Sequence, residues 1–164
     1  MMNTHQIIQL LANDRVTRER FRGVFPSNKI PETVFRRPYC VIFNTAPAPV
    51  SGHWVALYVD LDGKGYYLDS YGYTPRKIFT RFFKKNCSEI MYNQRRLQGF
   101  LTTTCGYYCI VFLIWMCRGG SMAKFLKQFT DNLMLNDHSV THSINRLYNA
   151  SFRIVDSSFY SSLL

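Results

Sequence analysis

Residues Tyr107 to Cys117 form an unbroken apolar run of eleven, Tyr-Tyr-Cys-Ile-Val-Phe-Leu-Ile-Trp-Met-Cys, bracketed by Gly106 and Arg118. A run of that length falls short of the roughly 18 apolar residues that a membrane helix needs. It therefore has to be buried inside protein, and the rest of the chain has to supply the apolar faces that cover it. Its length favours a central helix, while its β-branched and aromatic content pulls toward a strand. Gly119-Gly120 stops it in either case. The covering material is present: 47% of the 164 residues are hydrophobic and 18% are charged, a balance that argues against a disordered chain. One domain spanning 1–164 accommodates a core of this size.

Local patterns predict the cover. Residues 3–13 read as a short amphipathic helix with Ile7, Ile8, Leu10 and Leu11 on one side, followed by a loop containing Gly23, Pro26 and Pro31. Residues 39–44 read as a buried strand, ended by Pro47 and Pro49. Residues 54–60 and 66–69 read as a hairpin around the turn Asp62-Gly63-Lys64-Gly65. Pro75 suits the first turn of a helix over 76–85, where Ile78, Phe79, Phe82 and Phe83 stand at helical spacing, and 89–92 read as another strand. Ser121 reads as the cap of a helix carrying Met122, Phe125, Leu126, Phe129 and Leu133, and 138–149 as a last helix. Helices flank a small, mostly antiparallel sheet, so the expected class is α+β.

Charge and cysteine usage narrow the function classes. Twenty basic against ten acidic residues give a net charge of +10, which suits contact with polyanions. The basic residues fall in short clusters (15–22, 36–37, 76–77, 81–85, 95–96), with no zinc finger, aromatic RNA-binding signature or phosphate loop beside them. Nucleic-acid contact is thus an added property of this chain. No signal peptide is visible at the N-terminus, and the five cysteines (Cys40, Cys87, Cys105, Cys109, Cys117) are an odd count, so they read as thiols in a protein that is not secreted. No metal-knuckle spacing occurs among them. His138 and His142 are four apart but lack a third ligand, and read as polar helix residues.

One cysteine stands apart. Cys105, in Thr102-Thr103-Thr104-Cys105-Gly106, opens the apolar run. A helix N-terminus presents unpaired N–H groups and a partial positive charge, which favour a thiolate and can receive an oxyanion. Gly106 would let another chain approach closely. Cys109 and Cys117, inside the run, read as core. His53 starts the first hairpin strand beside a Pro/Gly loop and can present an imidazole to that thiol. Asp69 ends the return strand and can orient the imidazole. A three-residue loop over 62–64 puts Asp69 opposite Leu57, which leaves a four-residue gap, roughly 13 Å at ~3.3 Å per residue. The strand must bend or bulge for the pair to meet. Gln98, seven residues before Cys105, can donate to a tetrahedral oxyanion. Trp54, next to His53, is a candidate wall for a substrate channel and equally compatible with core packing.

In order along the chain, Gly52-His53-Trp54, Tyr67-Leu68-Asp69-Ser70-Tyr71-Gly72, Gln98-Gly99 and Cys105-Gly106 resemble the adenain family of adenovirus maturation proteases, and more distantly the Ulp1-type proteases that process ubiquitin-like proteins. Gly23-Val24-Phe25 and Cys40-Val41-Ile42-Phe43-Asn44-Thr45-Ala46 extend the likeness, which runs over about 20–118, some 60% of the chain. The resemblance implies a papain-like fold, with Cys105 as nucleophile, His53 as base, Asp69 as orienting acid and Gln98 in the oxyanion hole. It implies that the three triad groups meet despite the strand register. Adenain-type enzymes usually carry Glu where this chain has Asp69, the residue of the Ulp1 type.

The same resemblance implies cleavage of viral precursor polypeptides after glycine during virion maturation, in the infected cell (its nucleus) and the virion, by a monomer. It also implies two macromolecular cofactors: DNA, and an activating viral peptide bonded through a cysteine, for which Cys87, 18 residues before Cys105, is the candidate. No metal, small-molecule cofactor or membrane enters this picture. Two alternatives stay open: a protease of ubiquitin-like tails, and a basic nucleic-acid-binding module on an inactive protease fold. Residues 121–164 carry no recognised chemistry.

Overall fold

The computed structural model describes residues 2–160, with 150–160 as backbone only. Helix α1 spans Thr4–Asn13, capped by Asn3, whose side chain accepts from Gln6 N while Gln6 reaches back to Asn3 N. Five strands follow: β1 Phe21–Pro26, β2 Tyr39–Asn44, β3 Trp54–Val59, β4 Lys64–Leu68 and, after a 3₁₀ turn at Lys77–Phe79 and helix α2 Thr80–Asn86, β5 Glu89–Tyr92. Helices α3 Cys105–Cys117, α4 Met122–Leu126 and α5 Leu133–Tyr160 complete the chain.

The strands form one sheet in the order β1-β2-β3-β4-β5. Strands β2 and β3 are apolar and buried on both faces, which is why they read as continuous hydrophobic runs. On one face, Cys40, Ile42, Ala56 and Leu68 meet Ile7 and Leu11 of α1 and Tyr108, Phe112 and Leu113 of α3. On the other, Tyr39, Val41, Phe43, Val55, Leu57 and Tyr67 meet Phe79, Phe82 and Phe83. The apolar run is thus a helix packed against β3 in the middle of the molecule, as its length suggests. Its first residue is brought to the end of β3 at which His53 lies.

The architecture is the expected α+β, with the sheet packed between helices, and the central β2-β3-β4 pairings are antiparallel. Both edge pairings are parallel, however, so the sheet is mixed. Strand β1 occupies part of the expected loop. It is half-buried throughout, is irregular at Gly23 (φ +133°), and so shows no alternation to read. Ile8 and Ile78 point to solvent instead of joining their helices' apolar sides. Helix α4 ends at Leu126, leaving buried Phe129 on a loop, and α5 begins at Leu133. Ser121 does cap α4, accepting from Lys124 N.

The hairpin register corrects the sequence-based geometry. Asp60 Oδ1 accepts from Lys64 N at 2.9 Å and Asp60 N pairs with Lys64 O, so the loop is 61–63, one residue earlier than expected. Gly63 takes φ +87° there. The ladder runs Val59↔Gly65 to Ala56↔Leu68, which sets Asp69 opposite Val55. The gap to His53 shrinks from four residues to two, roughly 7 Å at ~3.3 Å each.

Candidate active site

His53 leaves the sheet just before β3, where Thr45 holds both of its backbone groups: Thr45 N donates to His53 O at 2.9 Å, and His53 N donates to Thr45 Oγ1 at 3.1 Å. Its Nε2 lies 2.8 Å from Asp69 Oδ1. With Nε2 engaged, Nδ1 is the nitrogen left for Cys105, which lies near enough to raise the imidazole's pKa. Burial alone would push the His53 pKa down. The bond to Asp69 and the nearby Cys105 outweigh it and raise the imidazole from 6.5 to about 9. Tyr71 stacks on the ring, with centroids 4.6 Å apart.

Asp69 is held by its neighbours as firmly as it holds His53. Its Oδ1 also accepts from Tyr71 N at 2.8 Å. Its backbone is clamped by buried Asn93, which accepts from Asp69 N at 3.0 Å and donates to Asp69 O at 2.6 Å. The turn closes with Gly72 N donating to Asp69 O at 2.8 Å. Gly72 is required there twice over: its φ is +75°, and a Cβ would lie 2.7 Å from the Arg95 carbonyl carbon.

Close approach of that turn to the Arg95–Gln98 segment delivers Gln98. Ser70 O accepts from Leu97 N at 2.8 Å and Gln98 N at 3.1 Å. Ser70 Oγ donates to Gln98 Oε1 at 2.7 Å, which fixes the amide's orientation. Gln98 Nε2 donates to Thr102 O at 2.8 Å and faces Tyr71 Oη at 3.4 Å. The latter contact is long enough to give way to a better acceptor.

Cys105 is the first residue of α3 and is nearly buried. The residue before it, Thr104, makes no side-chain cap to the helix. Its hydroxyl donates instead to Asp137 Oδ1 at 2.8 Å. The N–H groups of the first turn are therefore not taken by a capping side chain, and an anion at Cys105 finds them there.

Fold and hydrogen bonding thus bring His53, Asp69 and Cys105 together, with Gln98 tied to the Asp69 turn. The other expected positions fare differently. Gly106 is buried, and a Cβ there would lie 3.3 Å from both Met2 Cβ and Trp54 Cδ1, so the neighbour admitted is the chain's own N-terminal segment. Trp54 is 5% exposed and donates from Nε1 to Met2 O at 3.1 Å, and it also lines a cleft of about 330 Å³ with Val24, Asn44, Pro49 and Val50. Cys87 follows α2 on the opposite face of the sheet from α3. It is half-buried in the space left by Gly65, and burial pushes its thiol up to about 11. Burial likewise raises Cys109. His138 and His142 are exposed on α5, and no group of three His, Cys, Asp or Glu side chains able to hold a metal occurs among the described residues. No described helix is long and apolar enough to cross a membrane.

Sequence reasoning assigned no role to Ser70, Tyr71, Asn93 or Asp137. Ser70 and Tyr71 lie within the motif that carries the resemblance, so a signal existed for them. Asn93 and Asp137 lie outside every motif, and only the folded chain brings them in.

No family model matches this sequence, nor does any curated protein. Solved structures do match its fold. The ASFV pS273R protease aligns with a TM-score of 0.65 at 16% identity, over 85% of this chain and 66% of that one. A second structure of the same ASFV protease, with selenomethionine, gives 0.50 at 19% identity over 68% and 44%. ChlaDub1 from Chlamydia trachomatis gives 0.51 at 13% identity over 88% and 77%. The chain spans 66% of the ASFV protease chain in the first of these alignments. At these identities the likeness establishes the fold, and the expected α+β protease fold is the one this chain adopts.

Proposed function

We propose that this chain is a cysteine endopeptidase of the adenain type that cuts viral precursor polypeptides after glycine. The observation that carries the reading is the His53–Asp69 bond of 2.8 Å beside Cys105 at the uncapped start of α3. Asp69 fixes the imidazole so that Nδ1 faces the thiol, and a histidine raised to about 9 is protonated at neutral pH, the imidazolium half of an ion pair with a thiolate. Sγ attacks the scissile carbonyl. The oxygen becomes an oxyanion beside the Cys105 N–H and Gln98 Nε2. His53 passes its proton to the leaving amine. Water then adds to the thioester with His53 as base, and the acid leaves as Cys105 is restored.

Trp54 and the adjoining cleft form one wall of the substrate channel in this reading. Cys87 receives an activating peptide by thiol–disulfide exchange: its sulfur bonds one sulfur of a disulfide that the peptide already carries, that S–S bond breaks, and the other sulfur leaves as a thiol; the raised Cys87 thiol makes this attack slow. The net charge of +10 supports DNA as a further partner, although several arginines are engaged within the protein: Arg37 with Asn86 O, Arg95 with Leu126 O and Phe129 O, Arg118 with Asp14.

A second reading, a protease of ubiquitin-like tails, is favoured by aspartate at position 69. Incubating the protein with a Gly-Gly-containing precursor peptide and with a ubiquitin-like fusion, with and without DNA and candidate peptides, separates them. Cleavage of the precursor alone supports the first reading, and cleavage of the fusion alone supports the second. If neither is cut under any condition and DNA is still bound, the protein is a nucleic-acid-binding module on a protease fold.

A further inference from the structure

Helix α5 reaches the proposed oxyanion site through two adjacent buried side chains. Asp137 Oδ2 accepts from Gly99 N at 3.0 Å, and its Oδ1 accepts from Thr104 Oγ1 at 2.8 Å and from Tyr108 Oη at 2.9 Å. Asn136 Nδ2 donates to Leu97 O at 3.1 Å, an oxygen that also accepts from Tyr108 Oη at 2.9 Å. Asn136 is 3% exposed and Asp137 7%. The groups they hold are the residues on either side of Gln98 and the residue before Cys105, the two positions that supply the oxyanion donors. Leu97–Thr104 is otherwise a loop without regular structure, bearing exposed Phe100 and Leu101 at its tip. Such a loop does not by itself keep two hydrogen-bond donors aimed at one point.

We infer that Asp137, assisted by Asn136, is a positioning residue: it locks the Gln98 loop to the N-terminus of the Cys105 helix and so sets the spacing of the oxyanion donors. The inference rests on Cys105 as nucleophile and Gln98 as oxyanion donor. A buried carboxylate bonded to Gly99 N, Thr104 Oγ1 and Tyr108 Oη is a tie between three separated points, because losing those bonds would leave the buried carboxylate without the partners that offset its desolvation. The carboxylate also turns the Thr104 hydroxyl away from the first turn of α3, which keeps that turn for the substrate.

The test compares two reactions of Cys105, each read by mass spectrometry of the modified site. Acylation by p-nitrophenyl acetate passes through an oxyanion and needs the hole. Alkylation by iodoacetamide displaces iodide, forms no oxyanion and needs only the thiolate. In Asp137→Asn, acylation is expected to fall at least tenfold while alkylation stays within twofold of wild type. Thr104→Val, which removes a single tie, should lower acylation about threefold, and Thr104→Ser, which keeps the hydroxyl, should restore it. These Thr104 variants carry the test if Asp137→Asn does not fold. Unchanged acylation in folded variants, or acylation and alkylation falling in equal proportion, overturns the inference: equal losses mean general loosening. If wild-type Cys105 reacts no faster than Cys87 with either probe, the nucleophile reading itself fails and the inference goes with it.

Discussion

His53 Nε2 stands 2.8 Å from Asp69 Oδ1 across the open end of one hairpin, three residues beyond the last ladder pair on one strand and one on the other. The same oxygen accepts from Tyr71 N, and Tyr71 in turn stacks on the imidazole. The imidazole, the carboxylate and the covering aromatic ring are therefore one local unit, to which α3 brings the Cys105 thiol.

Removing members of that unit should cost activity in a defined order. Cys105→Ala should abolish peptide cleavage, a loss on the order of 10⁶-fold in turnover, with His53→Ala close behind. Asp69→Asn should cost less, on the order of 10⁴-fold, because the carboxylate orients and does not transfer the proton. Steady-state cleavage with far-UV circular dichroism as the folding control checks the series, and a Cys105→Ala protein that still cuts would remove the assignment.

The pH dependence has a fixed sign. The His53 pKa is raised in the folded protein, from 6.5 to about 9, so the folded state binds the proton more tightly than the unfolded state. The associated stability is fully present below pH 6.5 and is lost as pH rises through about 9. Thermal melts of wild type and His53→Gln should therefore converge between these pH values. Cleavage should fall over the upper part of that range as the imidazolium is lost.

Gln98→Ala should lower turnover about 100-fold, the scale of one oxyanion donor. Ser70→Ala should lower it less, since the Ser70 hydroxyl only fixes the direction of the amide through the 2.7 Å bond to Oε1. Measuring kcat and KM separately tests this: the loss belongs in kcat, and a change confined to KM would mean that Gln98 binds ground-state substrate.

Gly72→Ala should destabilise the fold by about 1–3 kcal/mol, since a non-glycine residue at positive φ is strained and the new Cβ would lie 2.7 Å from the Arg95 carbonyl carbon. Because that turn carries Asp69 and anchors Gln98, activity should fall further than the loss of folded protein explains. Urea melts alongside activity per folded molecule make the comparison.

Electrophile labelling at near-neutral pH should single out Cys105 among the five cysteines. Burial pushes Cys87 up to about 11 and raises Cys109, the bond to Cys117 raises Cys40, and Cys117, lowered by that same bond, keeps its sulfur 3.8 Å from Cys40 in the core with no imidazole beside it. Mass spectrometry of the modified sites reads the order, and preferential labelling of Cys87 would contradict it.

The apolar run 107–117, the two-sided strands at 39–44 and 54–59, and the α+β class were legible in the sequence because hydrophobic periodicity reports which faces are buried. So was the chain order of the site residues, through its resemblance to known proteases. Periodicity could not decide the hairpin register. Moving the loop from 62–64 to 61–63 slides the pairing by two, and a slide of two leaves every side chain on its original face. Only the Asp60–Lys64 hydrogen bonds and the conformation of Gly63 choose between the two, and that choice halves the gap between His53 and Asp69. Strand β1 was hidden for a related reason: it is half-buried along its whole length, joins the sheet by a parallel pairing to β2, and carries Gly23 and Pro26, which read as loop residues. Asn93 and Asp137 show the same limit at single residues. An isolated polar side chain carries no pattern, and its hydrogen bonds to residues 24 to 38 positions away exist only once the core has closed around it.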